Sequence, residues 1–166
     1  MGAIFDENFD YVWHTLRRLG IRYVDLEDLA QEVFLRVHAK LADYDPTRPM
    51  RAWLFGFAYR VAADHRRLAR HRFEVGGPVA EPVDPSHLVD ERLEVEEERA
   101  LLLAALDSME LGERAILVMH DIDDIPVPEI AKELGVPVNT AYSRLRLARE
   151  ELMITVKRMR NRRGVR

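Results

Sequence analysis

The chain has 166 residues, a length that suits one or two small domains, and its 48% hydrophobic residues are enough for compact cores. It contains no cysteine, which excludes disulfides, thiolate metal sites and cysteine nucleophiles. The formal net charge of -4 argues against a uniformly basic nucleic-acid binder, yet the charge is segregated along the chain.

Residues 1–72 hold 12 basic and 10 acidic side chains, whereas residues 73–98 hold 1 and 9. Residues 99–138 hold 3 and 8, and residues 139–166 hold 9 and 2, so the C-terminal segment is strongly basic. The six histidines are scattered, and His65 with His71 lacks the i, i+4 spacing of a helical zinc pair, so neither a metal nor a cofactor is expected. No apolar run approaches the roughly 18 residues of a membrane span. The first twenty residues alternate polar and apolar rather than reading as a signal peptide. The expected location is the cytoplasm.

Taken in order, Phe5, Phe9, Val12, Trp13, Leu16 and Leu19 follow a helical period that Gly20 ends. A second helix is expected to open at Asp25, with Asp25 as cap and Glu27 and Asp28 favourable at the positive end of the helix dipole. Its buried face is Leu26, Leu29, Ala30, Val33, Phe34, Val37 and Leu41. On the opposite side Asp28, Gln31, Glu32 and Leu35 cluster within about 100° of arc. Leu35 there is either a chance exposed apolar residue or the anchor of a protein-binding patch with an acidic rim.

Ala42 to Pro49 reads as a loop, because two prolines and two aspartates punctuate it. From Met50 to about Arg72 a third helix places Trp53, Leu54, Phe57, Val61 and Leu68 on one face and Phe55, Tyr59, Arg66 and Arg70 on another. Interleaved aromatic and Arg residues suit unpaired bases and phosphates, although Phe55 fits a packed core better. Two glycines and three prolines between Phe73 and Pro85 mark a linker, which runs into the acidic stretch Asp90 to Glu98.

Leu102, Leu103, Leu106 and Met109 restore a helical period, and Glu113 to Asp121 adds a short helix. The turn Asp121 to Pro128 has three aspartates but lacks the glycine and distant glutamate of a calcium loop, so it reads as a plain turn. Glu129 to Leu134 forms a further amphipathic helix that Gly135 closes. Asn139 or Thr140 can cap the next one, whose buried stripe is Ala141, Leu145, Ala148 and Leu152. Two short helices around a tight Gly-containing turn make a helix-turn-helix pattern, which a plain helical hairpin also produces. Asn139, Ser143, Arg146 and Leu147 point outward, flanked by Thr140, Tyr142 and Arg144, and they include donors suited to base edges and phosphates. The fold expected is all-α, with two small helical domains joined by an acidic flexible linker, the second ending in the helix-turn-helix.

Two stretches carry a resemblance. DLEDLAQEVFLRVHAKLADYDPTRPMRAWLFGFAYRVAADHRR, residues 25–67, resembles region 2 of bacterial RNA polymerase sigma factors of the extracytoplasmic-function (ECF) group. The segment Leu106 to Leu152, ending VPVNTAYSRLRLAREEL, resembles their region 4. The resemblance implies a region 2-like domain over residues 1–72, a linker over 73–98, a region 4-like domain over 99–157 and a basic tail over 158–166. It implies a dissociable subunit, monomeric when free, that binds core RNA polymerase, recognises a promoter and helps open it, commonly under the hold of an anti-sigma factor.

Carried over by position, Asp28, Gln31, Glu32 and Leu35 would meet the polymerase. Tyr44, Arg48, Arg51, Trp53, Arg60, Asp64 and Arg67 would capture and melt the minus-10 element. Asn139, Thr140, Tyr142, Ser143, Arg144 and Arg146 would read the minus-35 element. Arg60 stands where many members have asparagine and Leu147 where many have a basic residue, and both bear on promoter sequence. The alternative is a stand-alone helix-turn-helix regulator, which would need a dimer and a two-fold-symmetric site. No nucleophile, base and orienter set or phosphate loop points to an enzyme.

Overall fold

In the computed structural model, residues 2–74 and 91–164 are described. They form seven α-helices, and no strand occurs among the described residues. The order is α1 (Gly2–Arg18), α2 (Tyr23–Ala39), α3 (Met50–Glu74), α4 (Glu91–Asp107), α5 (Leu111–Leu117), α6 (Val127–Leu134) and α7 (Val138–Arg163). The chain is all-α.

The first three helices pack together because each presents one apolar stripe to the others. Val12, Leu16 and Leu19 from the α1 side meet Leu26, Ala30, Val33 and Val37 of α2 and Ala52, Leu54, Phe55, Ala58, Val61 and Ala62 of α3, all buried. Phe55 is fully buried and is therefore core, contributing roughly 1.5–3 kcal/mol through its removal from water. Leu68, placed by its spacing on the apolar face, is instead exposed, because α3 has by then run past the α1–α2 pair. Gly20 closes α1 at φ +89, a left-handed conformation that glycine reaches without strain.

The second group is built on a hairpin. α6 ends at Gly135, whose φ of 66 and ψ of 35 make the left-handed cap that the sequence pattern anticipates. α7 follows with Ala141, Leu145 and Ala148 buried and Leu152 half-buried, the expected stripe. It packs on Ile130 and Ala131 of α6 and on Ala115, Ile116 and Leu117 of α5.

Several boundaries differ from the sequence expectation. α2 begins two residues before Asp25, with Arg22 at the cap position and Asp25 inside the first turn, where Arg22 Nε and Nη2 hold it at 3.0 and 2.9 Å. α7 begins at Val138 after Pro137, so Asn139 and Thr140 lie in its first turn and no side chain caps it. Proline supplies no N–H that a helix start would leave orphaned. α7 runs on to Arg163 through the expected tail, whereas α4, starting at Glu91, makes the acidic end of the linker helical, which its composition allows.

Between α5 and α6 the chain makes one wide π-type turn, Val118–Ile122, and Asp124 then takes a positive φ of 54. Aspartate tolerates that region because its short side chain hydrogen-bonds locally.

Candidate nucleic-acid and partner interfaces

The outward face of α2 is open. Asp28 and Gln31 are exposed, Glu32 is half-buried, and Leu35 stands 70% exposed among them. A leucine so placed has no partner in its own fold, so the patch has the make-up of a docking face with an apolar centre. Glu32 is tied at 2.5 Å to Arg36, which reaches Asp64 of α3 at 3.0 Å.

The outward face of α7 is equally open. Tyr142, Ser143, Arg144, Arg146 and Leu147 are exposed, as is Asn139, with Thr140 half-buried beside them. Arg146 makes only a surface pair with Glu150, one turn on, at 2.8 Å. A pair of this kind is worth well under about 1 kcal/mol and leaves the guanidinium free to change partner. The core stripe on the other side of the helix fixes the outward direction of these side chains, since residues i and i+4 share a face.

The loop between α2 and α3 is stapled internally. Asp45 Oδ1 accepts from the Thr47 amide at 2.9 Å and from its hydroxyl at 2.7 Å, and these bonds hold its carboxyl below the usual range. Tyr44 donates its hydroxyl to the Arg48 carbonyl at 2.8 Å, and its ring lies 4.8 Å from that of Trp53. Trp53 is 8% exposed and meets Phe57 edge-on. It is thus a wall of the patch and not its rim. Arg60 lies over the Phe57 ring at 4.7 Å and Arg51 over the Tyr11 ring at 5.1 Å, both with exposed side chains. Asp64 and Arg67 form a 3.5 Å pair on the exposed side of α3.

The structure thus brings together Tyr44, Arg48, Trp53 and Arg60 around the start of α3. Asp64 and Arg67 sit further along the same helix, where Asp64 also takes the Arg36 contact. Next to them Tyr59, Arg66, Arg67, Arg70 and His71 line an open cleft of about 490 Å³, whose far wall is Glu110 to Gly112 at the start of α5. Basic side chains around an accessible groove suit a nucleic-acid backbone.

Sequence reasoning missed a set of contacts between the two helical groups. Arg48 donates from Nε and Nη2 to Glu129 of α6 at 2.9 and 2.8 Å, and from Nη2 to Glu133 at 2.6 Å. Tyr11 of α1 donates to Asp123 at 2.8 Å, and Arg18 lies 3.7 Å from the same carboxylate. Burial, followed by the Asp123 charge, pushes the Tyr11 hydroxyl far up, and burial likewise raises Asp123. Arg114 of α5 is fully buried beneath Gly20, with Asp107 at 3.1 Å and its Nε unpaired. Burial and the nearby charge of Arg66 pull this guanidinium down to about 10.

The aspartates of the turn diverge. Asp121 faces α7, where Arg149 hydrogen-bonds it at 2.9 and 2.5 Å and holds its carboxyl below the usual range, while Asp123 faces α1. These pairings span up to 112 residues, so no local pattern announces them.

Comparison with known proteins bears on both halves. The family model described as Sigma-70 region 2 matches residues 4–72, and that described as Sigma-70, region 4 matches residues 99–152. The ECF RNA polymerase sigma factor SigL of Mycobacterium tuberculosis is 30% identical over 161 residues, covering 96% of this chain and 90% of the relative. The RNA polymerase sigma factor CnrH of Cupriavidus metallidurans is 33% identical over 149 residues, covering 82% and 75%.

Among solved structures, CnrH in complex with the cytosolic domain of CnrY matches with a TM-score of 0.64 and 26% identity, over 94% of this chain and 86% of that one. The sigma factor RpoE of Bartonella quintana, in complex with the anti-sigma factor NepR, matches in fold with a TM-score of 0.73 and 18% identity, over 94% and 96%. No helix among the described residues is long and apolar enough to cross a membrane.

Proposed function

Because the chain belongs to the sigma-70 family, in its extracytoplasmic-function group, we propose that it joins core RNA polymerase as a cytoplasmic, non-catalytic specificity subunit and uses separate faces for three tasks. The face of α2 around Leu35 docks on the polymerase, with Asp28, Gln31 and Glu32 as its acidic rim. The outward residues of α7, Asn139, Thr140, Tyr142, Ser143, Arg144 and Arg146, read the minus-35 element in the major groove. The patch formed by Tyr44, Arg48, Arg51, Trp53, Arg60, Asp64 and Arg67 captures and holds the melted minus-10 strand.

The supporting observation is that one chain carries both matched regions in family order, with an exposed polar and basic face on each. Duplex recognition needs a helix backed by a core, which α7 has. Strand capture needs a pocket with aromatic walls and cationic edges, which Tyr44, Trp53, Phe57 and Arg60 supply. Domain limits of 1–72 and 99–157, with 73–98 as linker and 158–166 as tail, go with this assignment. An anti-sigma factor is the expected controlling partner: the like-folded RpoE is held by the anti-sigma factor NepR, and CnrH by the cytosolic domain of CnrY.

Run-off transcription with core polymerase on a promoter library tests the proposal. Added protein is expected to yield discrete start sites sharing two spaced elements. No product above core polymerase alone would overturn it, as would a two-fold-symmetric binding site bound by a dimer.

A further inference from the structure

The three proposed faces are not equally accessible. The α2 and α7 faces are open, whereas the guanidinium of Arg48 is only 17% exposed and is already bound by two carboxylates from the other half of the chain. Glu133, one of the two, is 7% exposed. Its carboxylate rests on Gly56 of α3, where a Cβ would collide with it, and the Arg60 guanidinium lies beside the same point. A glycine at that position is what lets α6 come down on α3. Glu129 Oε2 accepts from both Nε and Nη2 of Arg48 and Glu133 Oε1 accepts from Nη2, so the edge of the guanidinium that a phosphate would use is already taken.

We propose that Glu129 and Glu133 of α6 act as an internal competitor for nucleic acid at Arg48, so that the chain alone keeps this part of its minus-10 surface occupied while its α2 and α7 faces stay open. This rests on the assignment of Arg48 to the minus-10 strand. A bound strand and the α6 carboxylates need the same donors, so strand affinity falls by the fraction of molecules in which Arg48 is free. Arg114, also between the halves, is buried with an unpaired Nε.

The absence of cysteine makes the test direct. Cysteines placed at Lys40 and Lys132, both exposed, take a donor and acceptor dye in the full chain, on either side of the contact. The chain with native Glu129 and Glu133 is expected to give one short distance. The E129Q/E133Q variant keeps the side-chain shapes and removes the charges, and is expected to lengthen that distance. Without polymerase it should also bind the non-template strand of a promoter recovered by run-off about tenfold more tightly, within the 5- to 150-fold usual for coupled sites.

The Gly56→Ala variant should shift distance and affinity in the same direction by displacing the Glu133 carboxylate. An unchanged distance in both variants, or a longer distance without a gain in affinity, overturns the competition. Run-off activity of the native protein separates the two levels. If it is present while either result above is found, the clasp alone fails. If it is absent, the assignment of Arg48 fails and the competition with it.

Discussion

The outward face of α7 and the patch at the start of α3 carry similar residue types, arginine with aromatics, but they are held differently. In α7 a single helix does the work. Its buried stripe of Ala141, Leu145 and Ala148 fixes the outward side chains, which touch little else. The α3 patch is assembled from a loop, a helix and the opposite half of the chain, and its central arginine is committed to Glu129 and Glu133. Duplex reading can be left exposed because base edges in an intact groove demand only a rigid helix. The proposed strand-capturing patch differs in one respect: Arg51, Arg60 and Arg67 are exposed, whereas Arg48 is already engaged by two carboxylates.

The α7 face is most vulnerable from its core side. Leu145→Ala is expected to cost about 2–5 kcal/mol through the cavity it leaves, seen as a lower Tm, and to disorder the α7 face without altering one outward residue. Strand binding at the α3 patch should survive. Next in size, reversing both Asp28 and Glu32 to lysine should weaken assembly with core polymerase about 100-fold in a pull-down titration, because like charges set opposite each other cost several kcal/mol.

Arg146→Ala should lower promoter binding by the complete holoenzyme about tenfold, the loss of one base-edge or phosphate contact of about 1–2 kcal/mol. It should leave the affinity of the open variant for single-stranded DNA unchanged.

The smallest effect concerns Asp121, which ties the turn after α5 to α7. Its carboxyl is held below its ordinary 3.8, first by the Arg149 hydrogen bond. The contribution is therefore complete above about pH 3.8 and is lost as pH falls through the lower folded-state value. At this partly exposed site it amounts to less than about 1 kcal/mol. Acid unfolding of Asp121→Asn should lack that component.

The parts of this architecture that are legible in the sequence are those governed by short-range period. The stripes of α1, α2 and α7 were readable because burial repeats every three or four residues, and the hairpin was readable because Gly135 marks its left-handed cap. Helix starts were less so. Asp25 and Asn139 look like caps, but Arg22 and Pro137 occupy the cap positions, and Tyr23, Val24 and Val138 join the helices with their side chains exposed, so no burial pattern marks these starts.

The openness of Leu35 and the burial of Phe55 were both within reach of helical geometry. The clasp on Arg48 was not. An arginine in a loop and two glutamates on a distant helix are each ordinary solvated residues by pattern, and only the approach of α6 to Gly56 brings them together. Arg114 is a similar case, a charged residue in a short helix whose complete burial follows from the niche under Gly20.

If one face selects the promoter and another opens it, permanganate footprinting of promoter thymines should separate the two. With core polymerase at saturating concentration, the Arg48→Ala protein should occupy the promoter yet leave minus-10 thymines unreactive. The Arg146→Ala protein, once driven onto the same site, should give full reactivity. Native reactivity with Arg48→Ala, or equal loss of reactivity in both variants at full occupancy, would contradict the division of labour between α3 and α7.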